Sequence, residues 1–311
     1  MNKFDNNIHL STGVSSLGSA IFIFVLALLG SLLGSVIGMM LCVPFFQGSI
    51  TELTTALSNP QAYPDVKLIL YVSQAFGTLF GMVCLPLLYL KFILKRPISI
   101  FFNKPVGIQP VVLTVLIVLS FMMVNALFIE WNANLVFPEF LKGFEQWARA
   151  KEDQMAEMTK FLTQFDGYTE IILAFIVIAV IAPIGEELVF RGFLQSLTHN
   201  YTKNIHVAIW LSAILFSTIH MQFFGFVPRL LLGALFGYLY YWSGNLIVPI
   251  LAHLVNNGFT LIMVLLAKKE LIAYDIENTD TVPLPTVLIF AIITTGLLVY
   301  FRNYFFRRQV S

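Results

Sequence analysis

The sequence predicts an all-α fold, a polytopic transmembrane bundle of about eight helices, and three observations predict it. The 311 residues are 58% hydrophobic and only 11% charged, with a mean hydropathy of +0.83. Soluble domains run at about 45–50% apolar and about 25% charged. Residues 6–51, 68–90, 105–129, 171–185, 204–228, 230–267 and 281–301 carry no Asp, Glu, Lys or Arg, as segments crossing about 30 Å of hydrocarbon require. The 230–267 window is long enough for two spans, parted by the turn signal Ser243-Gly244-Asn245.

Taken in order, the helices are expected at 17–46, 67–93, 110–128, 169–198, 205–222, 228–243, 246–267 and 283–301, filling 1–311 as one integral membrane domain. The first apolar run far exceeds the ~7–15 residues of a signal-peptide core, and no A-x-A-like site follows it, so it is expected to stay in the mature chain. Its Gly30, Gly34 and Gly38 recur every fourth residue, as do Gly77/Gly81 in the second helix and Gly233/Gly237 in the sixth. Such spacing lets helix backbones approach closely and reads as packing. After the third helix, residues 129–168 form a long outer connection with an apolar stripe at Phe140, Phe144, Trp147, Met155, Met158, Leu162 and Phe165. It fits either a helix on the membrane interface or a solvated helical hairpin packed on the outer loops. No fixed-period repeat or low-complexity tract is present.

Eighteen Lys/Arg against seventeen Asp/Glu leave a formal +1. That balance excludes nucleic acid as a main ligand. Cys42 and Cys84 fall toward opposite faces of the predicted bundle, too far apart to bridge, and say nothing about redox compartment. Lys91, Lys95, Arg96 and Lys104 follow the second helix, and Arg302, Arg307 and Arg308 end the chain, whereas 47–66 has no basic residue. The asymmetry predicts cytoplasmic termini in a plasma (inner) membrane, with the 47–66 and 268–282 loops outside.

Ionisable residues inside the predicted spans are few: Glu186, Glu187, Arg191, His206, His220, Arg229 and His253. A central charge costs about 2.5–3.5 kcal/mol on insertion scales, so such groups pair, line a wet cavity or do chemistry. His206 and Arg229 stand at helix ends, where they are expected to snorkel. Counted from the 199–204 turn at about 1.5 Å per residue, Glu186 and His220 lie roughly 18 and 22 Å deep. From the 243–245 turn, His253 and Asn257 lie roughly 12 and 18 Å deep. One layer is therefore expected to hold two carboxylates, two imidazoles and a carboxamide. Glu187 and Arg191, four apart in acid-first order, are expected to form an ion pair. Glu186 points about 100° away and stays unpaired. His253 and Asn257 project together as donors suited to an oxyanion, and a carboxylate beside an imidazole is suited to activating water.

At these residues the sequence resembles a known family. Glu186-Glu187-Leu-Val-Phe-Arg191, Phe216-Ser-Thr-Ile-His220 and His253-Leu-Val-Asn256-Asn257 match in order the EExxxR, FxxxH and HxxxN motifs of the CAAX prenyl protease and bacteriocin-processing (CPBP, or Abi) intramembrane proteases. The resemblance covers about 169–260, the motif-bearing core. It implies an endopeptidase that hydrolyses a peptide bond in a lipid-tethered or hydrophobic membrane-associated substrate, its partners being that peptide or protein and the bilayer. Its candidate catalytic residues are Glu186, Glu187, His220, His253 and Asn257. Glu186 and His220 would activate water, and His253 and Asn257 would stabilise the oxyanion. Glu187 and Arg191 would shape the site, and Phe216 would pack or touch substrate. Members are often named metalloproteases, and a metal-free, glutamate-activated water is also proposed for the family. The cofactor is thus unknown, a divalent metal such as zinc or none, and no HExxH pair is present.

Other protease designs are excluded by residues. The aspartates at 5, 65, 153, 166, 275 and 280 lie outside the predicted spans, and Tyr241 stands where a GxSG serine motif needs its first glycine. The rival readings are a proton-coupled transporter and a non-catalytic immunity or scaffold membrane protein. An Asn four residues after a His suits an oxyanion better than a proton wire.

Overall fold

A computed structural model describes residues 16–46, 48–63, 66–102, 104–165, 167–272 and 282–307. Asp5, Asp65, Asp166, Asp275, Asp280, Arg308 and much of the 268–282 connection lie outside the described residues. The described chain forms α1 (Ser16–Cys42), α2 (Ile50–Ser58), α3 (Val66–Phe92), α4 (Ile108–Ala133), α5 (Lys142–Thr163), α6 (Tyr168–Thr202), α7 (Ile205–Thr218), α8 (Phe226–Ser243), α9 (Ile247–Lys268) and α10 (Leu284–Arg307). The β pairing among the described residues is one isolated bridge, Phe102 to Asn245. All eight predicted segments are helical, and α1, α3, α4, α6, α9 and α10 are long and apolar enough to cross a membrane. Helix α7, with 14 residues, is shorter than the roughly 20 a perpendicular span needs. The chain is a polytopic integral membrane protein.

Two expectations are corrected. The 47–66 segment is not a plain loop: Ser49 caps α2 through the Glu52 backbone N–H while the Glu52 side chain accepts from the Ser49 N–H. That reciprocal box satisfies two otherwise orphaned donors. Residues 142–163 form one helix and not a hairpin. Phe161 and Phe165 at its C-terminal end enter the core, while Phe140, just before it, is 84% exposed.

Helix α1 buries Ser19, Ala20, Ile23, Ala27, Gly30, Gly34, Gly38 and Cys42 and exposes Leu29, Leu32 and Leu33. Small side chains thus meet the neighbour and large ones face outward, the arrangement of a lipid-embedded helix. A Cβ on Gly30 would lie 2.9 Å from the Gly81 Cα, and one on Gly34 2.6 Å from the Phe76 carbonyl oxygen. The glycines of α1 and α3 pack backbone on backbone. Gly81→Ala drives a methyl into the Ser31 backbone and should lower stability by about 1–3 kcal/mol. Gly296→Ala meets nothing within 4 Å on α10 and should be neutral or stabilising, by up to about 1 kcal/mol. Thermal unfolding in detergent checks both, and equal effects would refute the close packing.

Three π-helical stretches interrupt α3 and α6: Thr78–Cys84, Phe175–Ile181 and Leu188–Gln195. Two of them run just ahead of Pro86 and Pro183. Proline lacks an N–H and its ring clashes with the carbonyl four residues back. Those carbonyls, of Met82 and Ala179, fall inside the π stretches, where the ladder widens to i→i+5. One core gathers α1, α3, α6, α7 and α8 around Phe190, Phe193, Leu197 and Ile209. A second joins α4, α8, α9 and α10 around Ile117, Phe236, Ala252 and Phe301. The motif-bearing helices α6, α7 and α9 meet between them.

Candidate active site

The buried ion pair of α6 anchors the site. Arg191 Nη1 donates to Glu187 Oε1 at 2.7 Å, with the side chains 1% and 0% exposed. Arg191 also donates to the Gly233 carbonyl of α8 at 2.9 Å, and one turn on, Gln195 donates to the Gly237 carbonyl at 3.0 Å. Glycine makes this reading possible: a Cβ on Gly237 would stand 2.8 Å from Gln195 Oε1. Phe216 and Phe236 cover the guanidinium at 4.7 and 5.5 Å.

Glu187 Oε1 takes a second partner, His253 Nδ1 of α9, at 2.8 Å. An ionised carboxylate only accepts, so Nδ1 carries the proton, and Nε2 is the nitrogen left for chemistry. Nε2 lies 3.9 Å from Glu186 Oε2, beyond hydrogen-bond reach. Glu186 Oε2 has no hydrogen-bond partner among the described residues. The Glu186 side chain is 16% exposed where that of Glu187 is sealed. The two adjacent glutamates differ: Glu187 is sealed and held through Oε1, with its Oε2 unpartnered, whereas Glu186 makes no ion pair with Arg191 and its side chain is partly exposed although its Oε2 is buried.

Phe216, 3% exposed, is a packing residue at the centre, with its ring edge-on to His220 at 5.1 Å and to His253 at 5.8 Å. Phe236 stacks on the other side of His253 at 5.2 Å. His220 lies past the end of α7, which was expected to run to 222. Its Nδ1 donates to the Phe216 carbonyl at 2.7 Å, again leaving Nε2 free. Asn257 does not project idle beside His253: its Nδ2 donates to the Ile178 carbonyl at 3.0 Å, and its Oδ1 accepts from Asn256. Ile178 lies in a π stretch. In the other α6 stretch, Ser212 Oγ donates to the Phe190 carbonyl at 2.7 Å and Ser196 Oγ to that of Arg191 at 3.2 Å. Side chains thus supply donors to carbonyls of the distorted ladder, which would be costly to leave unmet in a buried site.

The His220 loop is held by residues outside the three motifs. Asn132 of α4 donates to the Phe223 carbonyl at 3.2 Å and accepts from the Val227 N–H at 2.7 Å. Glu152 of α5 accepts from the Phe224 N–H at 3.1 Å and from Gln222 Nε2 at 3.3 Å. Burial pushes the Glu152 carboxyl above the usual carboxylate range, against the opposing pull of the Phe224 N–H and Arg229. Arg229 does not snorkel away: its Nη2 donates to Gln222 Oε1 at 2.6 Å. Glu152 sits in a helix crowded with charges, and nothing in its spacing marks it out. His206, by contrast, stays at the exposed end of α7, bonded to the Tyr238 hydroxyl at 2.8 Å.

Glu187 Oε1 is engaged by Arg191 and His253, while the Nε2 atoms of His220 and His253 are left for other partners. Tying Nδ1 to a carboxylate or a carbonyl is also how a metal-bound histidine is oriented. Among the described residues, as placed, no group of three or more His, Cys, Asp or Glu side chains is arranged to hold a metal ion, and the roles below are those of the side chains themselves.

Residues 168–259 match the family model described as Type II CAAX prenyl endopeptidase Rce1-like. This segment is similar to that CAAX endopeptidase family. It includes all three motifs and lies on α6 to α9. Over 100 residues, 30% of this chain and 40% of the relative, it is 31% identical to the membrane-embedded CAAX protease MroQ of Staphylococcus aureus. Over 91 residues, 29% of this chain and 37% of the relative, it is 32% identical to the putative membrane peptidase YdiL of Bacillus subtilis. Over 87 residues, 27% of this chain and 41% of the relative, it is 29% identical to YpbD of the same organism. The matches span about two fifths of the length of these relatives. No solved structure matches.

Proposed function

We propose that the protein is an intramembrane endopeptidase that cleaves a peptide bond in a lipid-tethered or hydrophobic membrane-associated protein. The observation that carries the proposal is the unpaired Glu186 carboxylate facing the free Nε2 of His253, whose other nitrogen is held by the Glu187–Arg191 pair. A buried carboxylate left unpaired is costly and marks chemistry more often than packing. That the segment similar to the CAAX endopeptidase family spans all these residues supports the same reading.

In the reaction, Glu186 takes a proton from a water while the free Nε2 of His220 accepts that water's second hydrogen and aims the oxygen. The oxygen attacks the scissile carbonyl carbon. Negative charge develops on the carbonyl oxygen, and His253, its Nδ1 held by Glu187, faces it through Nε2, which donates there when that nitrogen carries a proton. Asn257 adds its second amide hydrogen, the first being committed to Ile178. As the C–N bond breaks, Glu186 returns its proton to the leaving nitrogen, so hydrogen and charge balance.

The test is cleavage of membrane-tethered peptides by purified protein in liposomes, before and after exhaustive chelation. Turnover should survive chelation. Loss of turnover that zinc restores would place the attacking water on a metal, and absence of cleavage across a panel of tethered and hydrophobic peptides would overturn the protease reading.

A further inference from the structure

His220 is the one water-activating group that no helix holds. It follows the end of α7 by two residues, and the chain turns back at once through Met221, whose φ of +54° lies in the left-handed region. A non-glycine residue stays there only when its surroundings over-determine it. A ring on such a turn is only as well placed as the loop beneath it.

The loop is held from outside the spans. Helix α5 is not one of the six apolar helices, yet its Glu152 uses both carboxylate oxygens on this loop: Oε2 on the Phe224 N–H, Oε1 on the Gln222 amide. Gln222 passes the link to Arg229 of α8, and Arg229 Nη1 reaches back to the Gly225 carbonyl at 3.5 Å. One turn before Glu152, the Arg149 guanidinium lies 4.2 Å from the centre of the Phe224 ring, itself braced by Glu145 at 2.8 Å. The chain from α5 through residues 222–225 to α8 is thus continuous, and it joins the backbone that carries His220.

We propose that Glu152 is a positioning residue for His220, fixing through Gln222 and Phe224 the loop that aims the imidazole at the attacking water. The role deepens the protease reading and rests on it for its kinetic consequences, while the clamp on the loop does not. Misplacing a catalytic group by about 1 Å costs up to about a hundredfold in rate. Substrate binding should be spared, because Glu152 touches the loop and not the water site.

The experiment uses the full-length protein in liposomes with Glu152→Ala, Glu152→Gln and Gln222→Ala. Steady-state peptide cleavage is measured beside hydrogen exchange of the 219–227 amides. In Glu152→Ala, kcat should fall about tenfold or more with KM within about twofold, and exchange should quicken at 219–227 while α9 and α10 stay protected. Glu152→Gln keeps an acceptor for the Phe224 N–H and should recover much of kcat and of the protection. Wild-type kcat with unchanged exchange in Glu152→Ala overturns the proposal, as does a rise in KM alone or a loss of protection spread over the whole bundle. Should Glu152→Ala fail to fold, Gln222→Ala, which removes the bond to Glu152 Oε1 and the relay to Arg229 but leaves the Phe224 N–H on Glu152, decides by the same two readouts. If the wild-type protein cleaves nothing, the protease reading fails, and the exchange pattern alone still tells whether Glu152 clamps the loop.

Discussion

Glu186→Gln should lower peptide turnover by about a thousandfold while the protein inserts, purifies and melts like wild type. Positioned acid–base groups contribute about 10²- to 10⁴-fold, and Glu186 serves as both acceptor and donor in the cycle. Stability should hold because Glu186 Oε2 has no hydrogen bond to lose and the side chain is partly exposed. Neutralising a buried, unpaired carboxylate removes a desolvation cost, so a slight gain in stability is the expected sign. His220→Ala should bring a comparable loss, since the ring touches Phe216 and its carbonyl but no ion pair. Near wild-type turnover in either purified variant would overturn this mechanism.

The second large effect separates Glu187 from its neighbour. Glu187→Gln or Arg191→Gln alone should destabilise the protein by about 3–5 kcal/mol, the usual result of leaving one buried charge without its partner. The double change should recover much of that loss, and the cycle should show strong coupling between the two sites. Recovery will be incomplete for a structural reason. Arg191 also serves the Gly233 carbonyl, and Glu187 also holds His253, so the double variant leaves an unmet carbonyl and an unoriented imidazole. It should therefore regain stability without regaining activity. Thermal unfolding in detergent alongside peptide hydrolysis checks both. Additive stability losses would refute the pairing and make Glu187 the rival base.

The Glu187–Arg191 pair was legible because i,i+4 geometry belongs to any helix, whatever surrounds it. So was the isolation of Glu186, one position and about 100° around from Glu187. The depth count brought α6 and α9 to one layer, and the 2.8 Å Glu187–His253 contact agrees with it. The end of α7 was misplaced, since the helix stops at Thr218 and the chain turns at His220, yet the Phe216 ring lies against both His220 and His253. The capping box at Ser49 and Glu52 was written in the sequence and went unread in a segment taken as loop.

By itself, the sequence determined the lipid-embedded helical bundle, the small-residue faces of α1, α3 and α8, and the motif residues that share one layer. Hydrocarbon thickness, helical periodicity and the cost of buried charge act on each segment alone, so no neighbour need be known. Tertiary structure decided which atoms of those residues remain free. Which glutamate meets Arg191 and His253 together was settled only by packing, which brings both to Glu187 Oε1. Asn257 could have offered both amide hydrogens until the π stretch left the Ile178 carbonyl to it. Glu152 gained its position only when α5 folded back on the His220 loop. A side chain's hydrogen-bonding capacity is small and is shared among whatever packs against it, so the division follows from contacts far apart in sequence.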